Sequence, residues 1–259
     1  MLFDLHHPPG PGQALLARMT GRAELAVTGT GARDAIALAD ACLEPLPGTV
    51  LAPGRAAEMS VSDRDRLMAA LYRATFGDRI TGNALCARCD ERFDFDFALG
   101  ALLGALSPSE DAPDDEGWYH EATVRFRVPT GVDELAAAGQ DAARAAKVIA
   151  LRCAPDAQDA DQRSAVETRM AKVAPLIDLT LNATCPDCDH ANPLAFRAER
   201  YLLTTLLNQR HAVLRDVHLL AAHYRWSFAE ITGLPRDTRQ LLVAQILRDN
   251  SARAKAVAR

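Results

Sequence analysis

Two short stretches decide the fold of this 259-residue chain: CARCD at residues 86–90 and CPDCD at residues 185–189. Each has two cysteines separated by two residues, so both thiolates of one tight turn can point at a single ion. Two such turns supply the four ligands of a tetrahedral site, and four thiolates leave no position for water, which favours a structural role. The spacing predicts one structural Zn²⁺ ion bound by Cys86, Cys89, Cys185 and Cys188.

Strand-like alternation accompanies both cysteine pairs. Three phenylalanines alternate with charged residues in RFDFDF at 92–97, and residues 177–184 alternate apolar and polar side chains. The residue after each second cysteine, Asp90 or Asp189, suits a turn position that needs a left-handed backbone. Together these features predict a split zinc ribbon made of residues 79–97 and 177–196.

The separation of the two pairs needs an explanation of its own. Ninety-five residues lie between Cys89 and Cys185, against about 15–20 in a compact ribbon. An insert at residues 98–176 accounts for the spacing, and a site shared by two chains is the alternative. No internal repeat is evident beyond the two cysteine pairs.

The predicted fold class is α+β and mainly helical, with a split zinc-ribbon-like β core, a long α/β insert and flanking N- and C-terminal helices. Within the insert, the sequence predicts an acidic loop, one strand and two helices. The corresponding ranges are residues 107–117, 119–128, 132–151 and 161–174. The remaining parts are an N-terminal arm with helices at residues 1–78 and a C-terminal helical region at residues 197–259.

Three local features near the chain ends can be predicted as well. The Pro- and Gly-rich residues 1–12 suggest a loose arm, in which His6 and His7 are part of a polar tail. Ser62 is a good N-cap for the helix that ends at Gly77. Near the other end, a serine and a glutamate three residues apart predict a capping box, formed by Ser227 and Glu230.

Charge and composition narrow the function classes. The net charge is −5, which weighs against a dedicated nucleic-acid binder. The charge is uneven, however, because residues 88–121 are strongly acidic and residues 194–259 are basic. No apolar run is long enough for a membrane span, and the N-terminus lacks the pattern of a signal peptide. We therefore expect a cytoplasmic protein with no membrane partner, whose cysteines are free or metal-bound.

Catalytic motifs are incomplete in this sequence. HEATV at residues 120–124 lacks the second histidine of a zinc protease, and VTGTGARD at residues 27–34 lacks the GK[ST] ending of a phosphate-binding loop. A thioredoxin-like dithiol would need a βαβ setting that the sequence does not indicate. Cys42 fits a small buried residue, and Cys153 fits a small buried or loop residue. These observations predict a protein that is not an enzyme.

A family resemblance rests on four blocks of sequence. RDVHLLAAHYRWSFAEITGL at residues 215–234 resembles the C-terminal signature of the T-even-type phage baseplate protein family. Three earlier blocks are similar to members of the same family: SDRDRLMAALYRATFGDRI at 62–80, VRFRVPTG at 124–131 and LTLNATCPDCDH at 179–190. The chain departs from the family at Arg225 and at the aspartate after each cysteine pair, where glycine is commoner.

The resemblance implies a role in building the baseplate hub of a contractile phage tail or a phage-derived contractile injection system. The protein would be a non-enzymatic assembly factor or minor component in the cytoplasm of a bacterial cell that carries the phage or prophage locus. Its partners would be hub or spike proteins, with the C-terminal helices at residues 197–259 favoured as the contact surface. The alternative is a zinc-ribbon regulator that binds nucleic acid, which the acidic strand beside the first cysteine pair disfavours.

Overall fold

The protein is described by a computed structural model that covers residues 1–7, 12–45, 47–106 and 111–257, with the backbone alone for residues 253–257. About half of this part of the chain is helical, and its strands form small antiparallel sheets. The predicted mixed α+β class is therefore confirmed. Within the described residues, no helix combines the length and apolar character needed to cross a membrane.

The N-terminal residues are not a loose arm. Leu2–Leu5 (β1) pairs antiparallel with Gly12–Leu16 (β2), which pairs in turn with Leu43–Glu44 (β3). Pairing buries Leu5 and Leu16 against the helices Gly21–Ala26 (α1) and Ala32–Cys42 (α2), and this burial outweighs the flexibility of the Pro/Gly-rich segment. Residues 8–11 of the predicted arm lie outside the described residues.

His7 is also not part of a polar tail. Its side chain is buried, with Nδ1 3.1 Å from the hydroxyl of Tyr119, and its backbone amide donates to Asp63 at 2.9 Å. The amide of His6 donates to the same carboxylate at 3.1 Å. Because Asp63 lies in the first turn of a helix, these bonds fix the end of β1 against the molecule.

That helix, Val61–Phe76 (α3), begins two residues earlier than the sequence suggested. Ser60 is the N-cap, and its hydroxyl accepts a hydrogen bond from the amide of Asp63 at 3.0 Å. Ser62, the predicted cap, instead donates to the carbonyl of Pro175 at 2.8 Å. The predicted end is correct, because Gly77 stops the helix with a φ of 92°.

Two β-hairpins carry the cysteine pairs. Arg79–Leu85 (β4) pairs with Arg92–Ala98 (β5), and Asp178–Thr184 (β8) pairs with Ala191–Arg197 (β9). They meet across the core, where the rings of Phe97 and Phe196 lie 5.0 Å apart and nearly perpendicular. Each cysteine pair lies in the turn of its hairpin, as the sequence predicted.

The two hairpins belong to an internal repeat that sequence inspection missed. In each copy a helix, a hairpin and a second helix follow one another, and every element of the second copy starts 99 residues after its counterpart. The first copy is α3, β4, β5 and Leu99–Gly104 (α4); the second is Ala160–Val173 (α7), β8, β9 and Ala198–Tyr224 (α8). Each second helix begins with the same bond, from Leu99 to Asp78 or from Ala198 to Ile177.

Between the two copies, the predicted strand at residues 119–128 is in fact a short hairpin. Tyr119–Glu121 (β6) turns at Ala122, whose φ of 52° breaks the extended backbone, into Val124–Phe126 (β7). The predicted helix at residues 132–151 is likewise two helices, Gly131–Ala137 (α5) and Ala142–Cys153 (α6). Residues 107–110 of the predicted acidic loop lie outside the described residues.

The C-terminal third is helical, as predicted. After α8, the capping box of Ser227 and Glu230 starts Phe228–Gly233 (α9), and Arg236–Val257 (α10) follows. The fully buried Arg239 of α10 donates to Glu24 of α1 at 2.8 Å. A buried ion pair therefore ties the last helix to the N-terminal part of the chain.

The buried carboxylate of Asp65 makes the stability of the fold depend on pH. Asp65 of α3 accepts a bond from the amide of Ile177 at 2.9 Å, but burial raises its pKa from 3.8 to about 6. A raised pKa in the folded state means that Asp65 stabilises the protein at low pH and loses this contribution as pH rises from about 4 to 6.

We expect Asp65→Asn to raise the free energy of unfolding at neutral pH by on the order of 1 kcal/mol, because asparagine keeps an acceptor for Ile177 without a buried charge. Thermal and urea unfolding at pH 7 and pH 4 measures this gain, which should shrink at the lower pH. A variant less stable than the parent at pH 7 would contradict the assignment.

Candidate metal centre

The two cysteine turns have the same internal geometry. The amide of Cys86 donates to the carbonyl of Glu91 at 2.9 Å, and the amide of Asp90 donates back to the carbonyl of Cys86 at 3.0 Å. Cys185, Asp189 and His190 repeat both bonds at the same distances. The φ angles of Asp90 and Asp189 are 58° and 57°, so the predicted left-handed position is confirmed in both turns.

All four predicted sulfurs converge. They lie within 4.8 Å of one another, and two separations that cross between the hairpins are 3.6 Å from Cys86 to Cys188 and 3.7 Å from Cys89 to Cys185. A tetrahedral zinc–thiolate site, with Zn–S bonds of about 2.3 Å, has sulfurs about 3.8 Å apart. The cluster could therefore hold a metal ion, and its dimensions fit zinc.

The surroundings of the sulfurs are apolar on one side. Cys86 and Cys185 are fully buried beside Phe93, whereas Cys89 and Cys188 are half-exposed. An ion at the centre would thus be covered from the core side and approachable from the turn side.

The protonation of the four thiols indicates what a bound cation would do in this cluster. Burial favours the neutral thiol of Cys86, but hydrogen bonds to its sulfur from the backbone of Arg88 and Cys89 and from other neighbours lower its pKa to about 6. The amide of Glu91 favours the thiolate of Cys89, yet burial and the adjacent sulfurs raise that pKa to about 12. Four thiolates at these distances repel one another, so a divalent ion is what can keep all four deprotonated.

Asn192 is a contributor to the site that sequence reasoning missed. Its side chain is buried, donates to the sulfur of Cys86 at 3.7 Å and to the carbonyl of His190 at 2.9 Å, and accepts from the amide of Ala87 at 2.9 Å. It bonds both turns and so fixes their separation. The signal was present in the sequence, because Asn192 is a polar residue at the inward position that Phe93 occupies in the first hairpin.

Other candidate residues lie apart from the cluster. Cys42 and Cys153 are both fully buried, Cys42 in the main apolar core and Cys153 with its sulfur 3.8 Å from Asp133, and burial raises the pKa of each to about 12. This confirms that both are small buried residues. His120 lies in β6, where Nε2 is 3.2 Å from Asp114, so HEATV does not form a zinc-binding helix.

Comparison with known proteins found no match: no family model, curated protein or solved structure matches this chain. The function proposed below therefore rests on the sequence and on the geometry of the cluster.

We expect Cys185→Ser to reduce the bound metal and to destabilise the fold, because metal binding and folding are coupled in such sites. Metal per chain is measured by mass spectrometry of the purified protein, and stability by thermal unfolding. Cys42→Ala is the matched control and should keep the full metal content. Unchanged metal stoichiometry in Cys185→Ser would remove Cys185 from the ligand set.

Asn192→Ala should weaken zinc binding by about 10–100-fold, the usual effect of losing a hydrogen bond that orients a metal ligand. Competition with a chromophoric chelator gives the affinity. Asn182→Ala, which alters an exposed asparagine of the same hairpin, should match the parent. Equal affinities for parent and Asn192→Ala would show that the amide has no influence on the ion.

Proposed function

We propose that Cys86, Cys89, Cys185 and Cys188 hold one structural Zn²⁺ ion in a split zinc-ribbon-like core. The observation that supports this is the convergence of four sulfurs from two turns with identical backbone bonds. Bound zinc supplies a crosslink and no chemical step, because four thiolates fill its coordination shell. Its role is to hold the two hairpins together.

We further propose that the protein is a non-enzymatic assembly factor or minor component for the baseplate hub of a contractile tail or injection system. The four ordered sequence blocks support this, and three of them lie near one another in the fold. The amide of Val61, one residue before the block at 62–80, donates to Pro129 of the block at 124–131 at 2.9 Å. Asp65 accepts from Ile177, two residues before the block at 179–190. Segments far apart in the sequence thus meet at the start of α3.

The fourth block supplies the favoured partner surface. Trp226 and Phe228 are 38% and 57% exposed, although most large apolar side chains are buried. Trp226 stacks on Tyr224 with ring centroids 4.9 Å apart, and the adjacent Arg225 holds a left-handed conformation that glycine adopts more easily. Exposed Trp and Arg on a rigid turn are typical of residues that dominate protein interfaces. We name Arg225, Trp226 and Phe228 the C-terminal tip.

The alternative, a nucleic-acid-binding regulator, has less support. Arg236 and Arg239 of the basic C-terminal third bond to Glu24 inside the fold, and Arg197 pairs with Asp178. These arginines are engaged with carboxylates, which reduces the positive surface open to phosphates. A salt-sensitive gel shift with micromolar protein would favour this alternative.

We expect the protein to co-purify with a hub or spike protein encoded beside it, and Phe228→Ala to weaken that complex about tenfold or more. Leu241→Ala, which also truncates an exposed apolar side chain, here a leucine of α10, is the control and should bind like the parent. Biolayer interferometry with the purified partner measures both.

Gene deletion tests the biological role directly. Loss of the gene should reduce the number of sheathed particles or alter their baseplates in electron micrographs. Particles of normal number and shape after deletion would contradict the assembly role. That result would not affect the assignment of the metal site.

A further inference from the structure

We infer that the outer edge of β8 is a self-association site, at which a second copy of this chain adds its own β8 antiparallel. The second hairpin has the alternating hydrogen-bond pattern of an antiparallel pair. In an antiparallel pair, residues alternate between bonding the partner strand and pointing their backbone groups outward. The bond from Cys185 to His190 sets this alternation, so the amides and carbonyls of Thr180, Asn182 and Thr184 point outward. Those of Asp178 at the start of the strand also point outward, and its side chain pairs with Arg197.

These outward groups have no hydrogen-bond partner among the described residues. The side chains of Thr180, Asn182 and Thr184 are exposed and uncharged. An uncharged strand edge with free amides and carbonyls readily pairs with another strand, and proteins normally protect such edges.

Each of the other edges of the two hairpins has at least one protecting feature. On β4, Tyr72 donates to the carbonyl of Arg79 at 3.1 Å, while the hydroxyl of Tyr201 donates to the carbonyl of Thr81 at 2.8 Å and accepts from its amide at 3.3 Å. On β9, Pro193 has no outward amide. Charged side chains guard the edge of β5: Arg92, Asp94 and Asp96.

The internal repeat shows that the open edge is a specific departure from the first copy. Thr180 of β8 is the counterpart of Thr81 in β4, whose backbone groups are capped by tyrosine hydroxyls. The residues that stand 99 positions from Tyr72 and Tyr201 are Ala171 and Leu102, and neither has a hydroxyl. The second hairpin therefore lacks both caps.

A second copy fits this edge in one particular register. With a two-fold axis through Leu181, Thr180 lies opposite Asn182 of the second copy and Asp178 lies opposite Thr184, so no like charges meet. Residues directly opposite share a face, and the half-buried Leu179 and Leu181 would extend the apolar inner face of the sheet. Main-chain bonds supply the affinity of such strand addition.

Proline scanning tests the edge without breaking the hairpin. The parent should have twice the 28.0 kDa chain mass in multi-angle light scattering, falling to one chain on dilution. Asn182→Pro removes an outward amide, directly opposite the native Pro193 in the register, and should be monomeric with unchanged circular dichroism and zinc content. Asn83→Pro, the same change at the counterpart position in β4, should remain dimeric.

Charge pairs test the register. Thr180→Lys with Asn182→Lys places lysines opposite each other and should abolish the dimer at low salt, whereas Thr180→Lys with Asn182→Asp should restore it. A monomeric parent at every concentration would overturn the inference. So would an Asn182→Pro dimer as stable as the parent, an Asn83→Pro monomer, or a doubly lysine-substituted protein that still dimerises.

Discussion

The face-to-face association of two hairpins is the constraint on which the other features depend. A two-stranded hairpin is at best marginally stable alone, so each copy relies on the other. The sulfur cluster closes one end of this association, and the perpendicular contact of Phe97 with Phe196 closes the other. Asn192 bonds both turns near the cluster. The helices before and after each hairpin surround this pair of hairpins. The N-terminal sheet and the C-terminal helices lie outside those helices.

The repeat gives the four cysteines a second meaning besides that of a zinc ribbon split by an insert. Each copy contributes half of the ligands, and identical residues recur at the turns, within the first strand of each hairpin and at the Phe97–Phe196 contact. The hairpin between the copies packs with α7 of the second copy in a separate apolar cluster, formed around Phe126 and Val166. The two copies differ most in their second helix, which is long in the second copy (α8) and ends after six residues in the first (α4).

The metal site could be predicted because its signals lie close together in the sequence. Features that depend on pairing between distant residues could not be predicted in this way. The cysteine spacing, the left-handed aspartates and the capping box are set by residues within a few positions of one another, so the sequence alone was enough. The strand pairing of β1 and the burial of His7 depend on partners more than fifty residues away. The role of Asn192 depends on the pairing of the two hairpins, which brings its side chain to Cys86, 106 residues away in the sequence. The left-handed Ala122 carries no sequence signal, since alanine rarely adopts that conformation.

Separation of the two halves has a consequence for synthesis on the ribosome. Cys185 follows Cys86 by 99 residues, which at about 5–20 residues per second corresponds to roughly 5–20 s of translation. During that interval the first turn offers two thiolates and the apolar face of its hairpin has no counterpart. Ion capture and core closure are thus late, long-range events in the life of the nascent chain. Premature oxidation or aggregation of the first half is the hazard that this architecture has to survive.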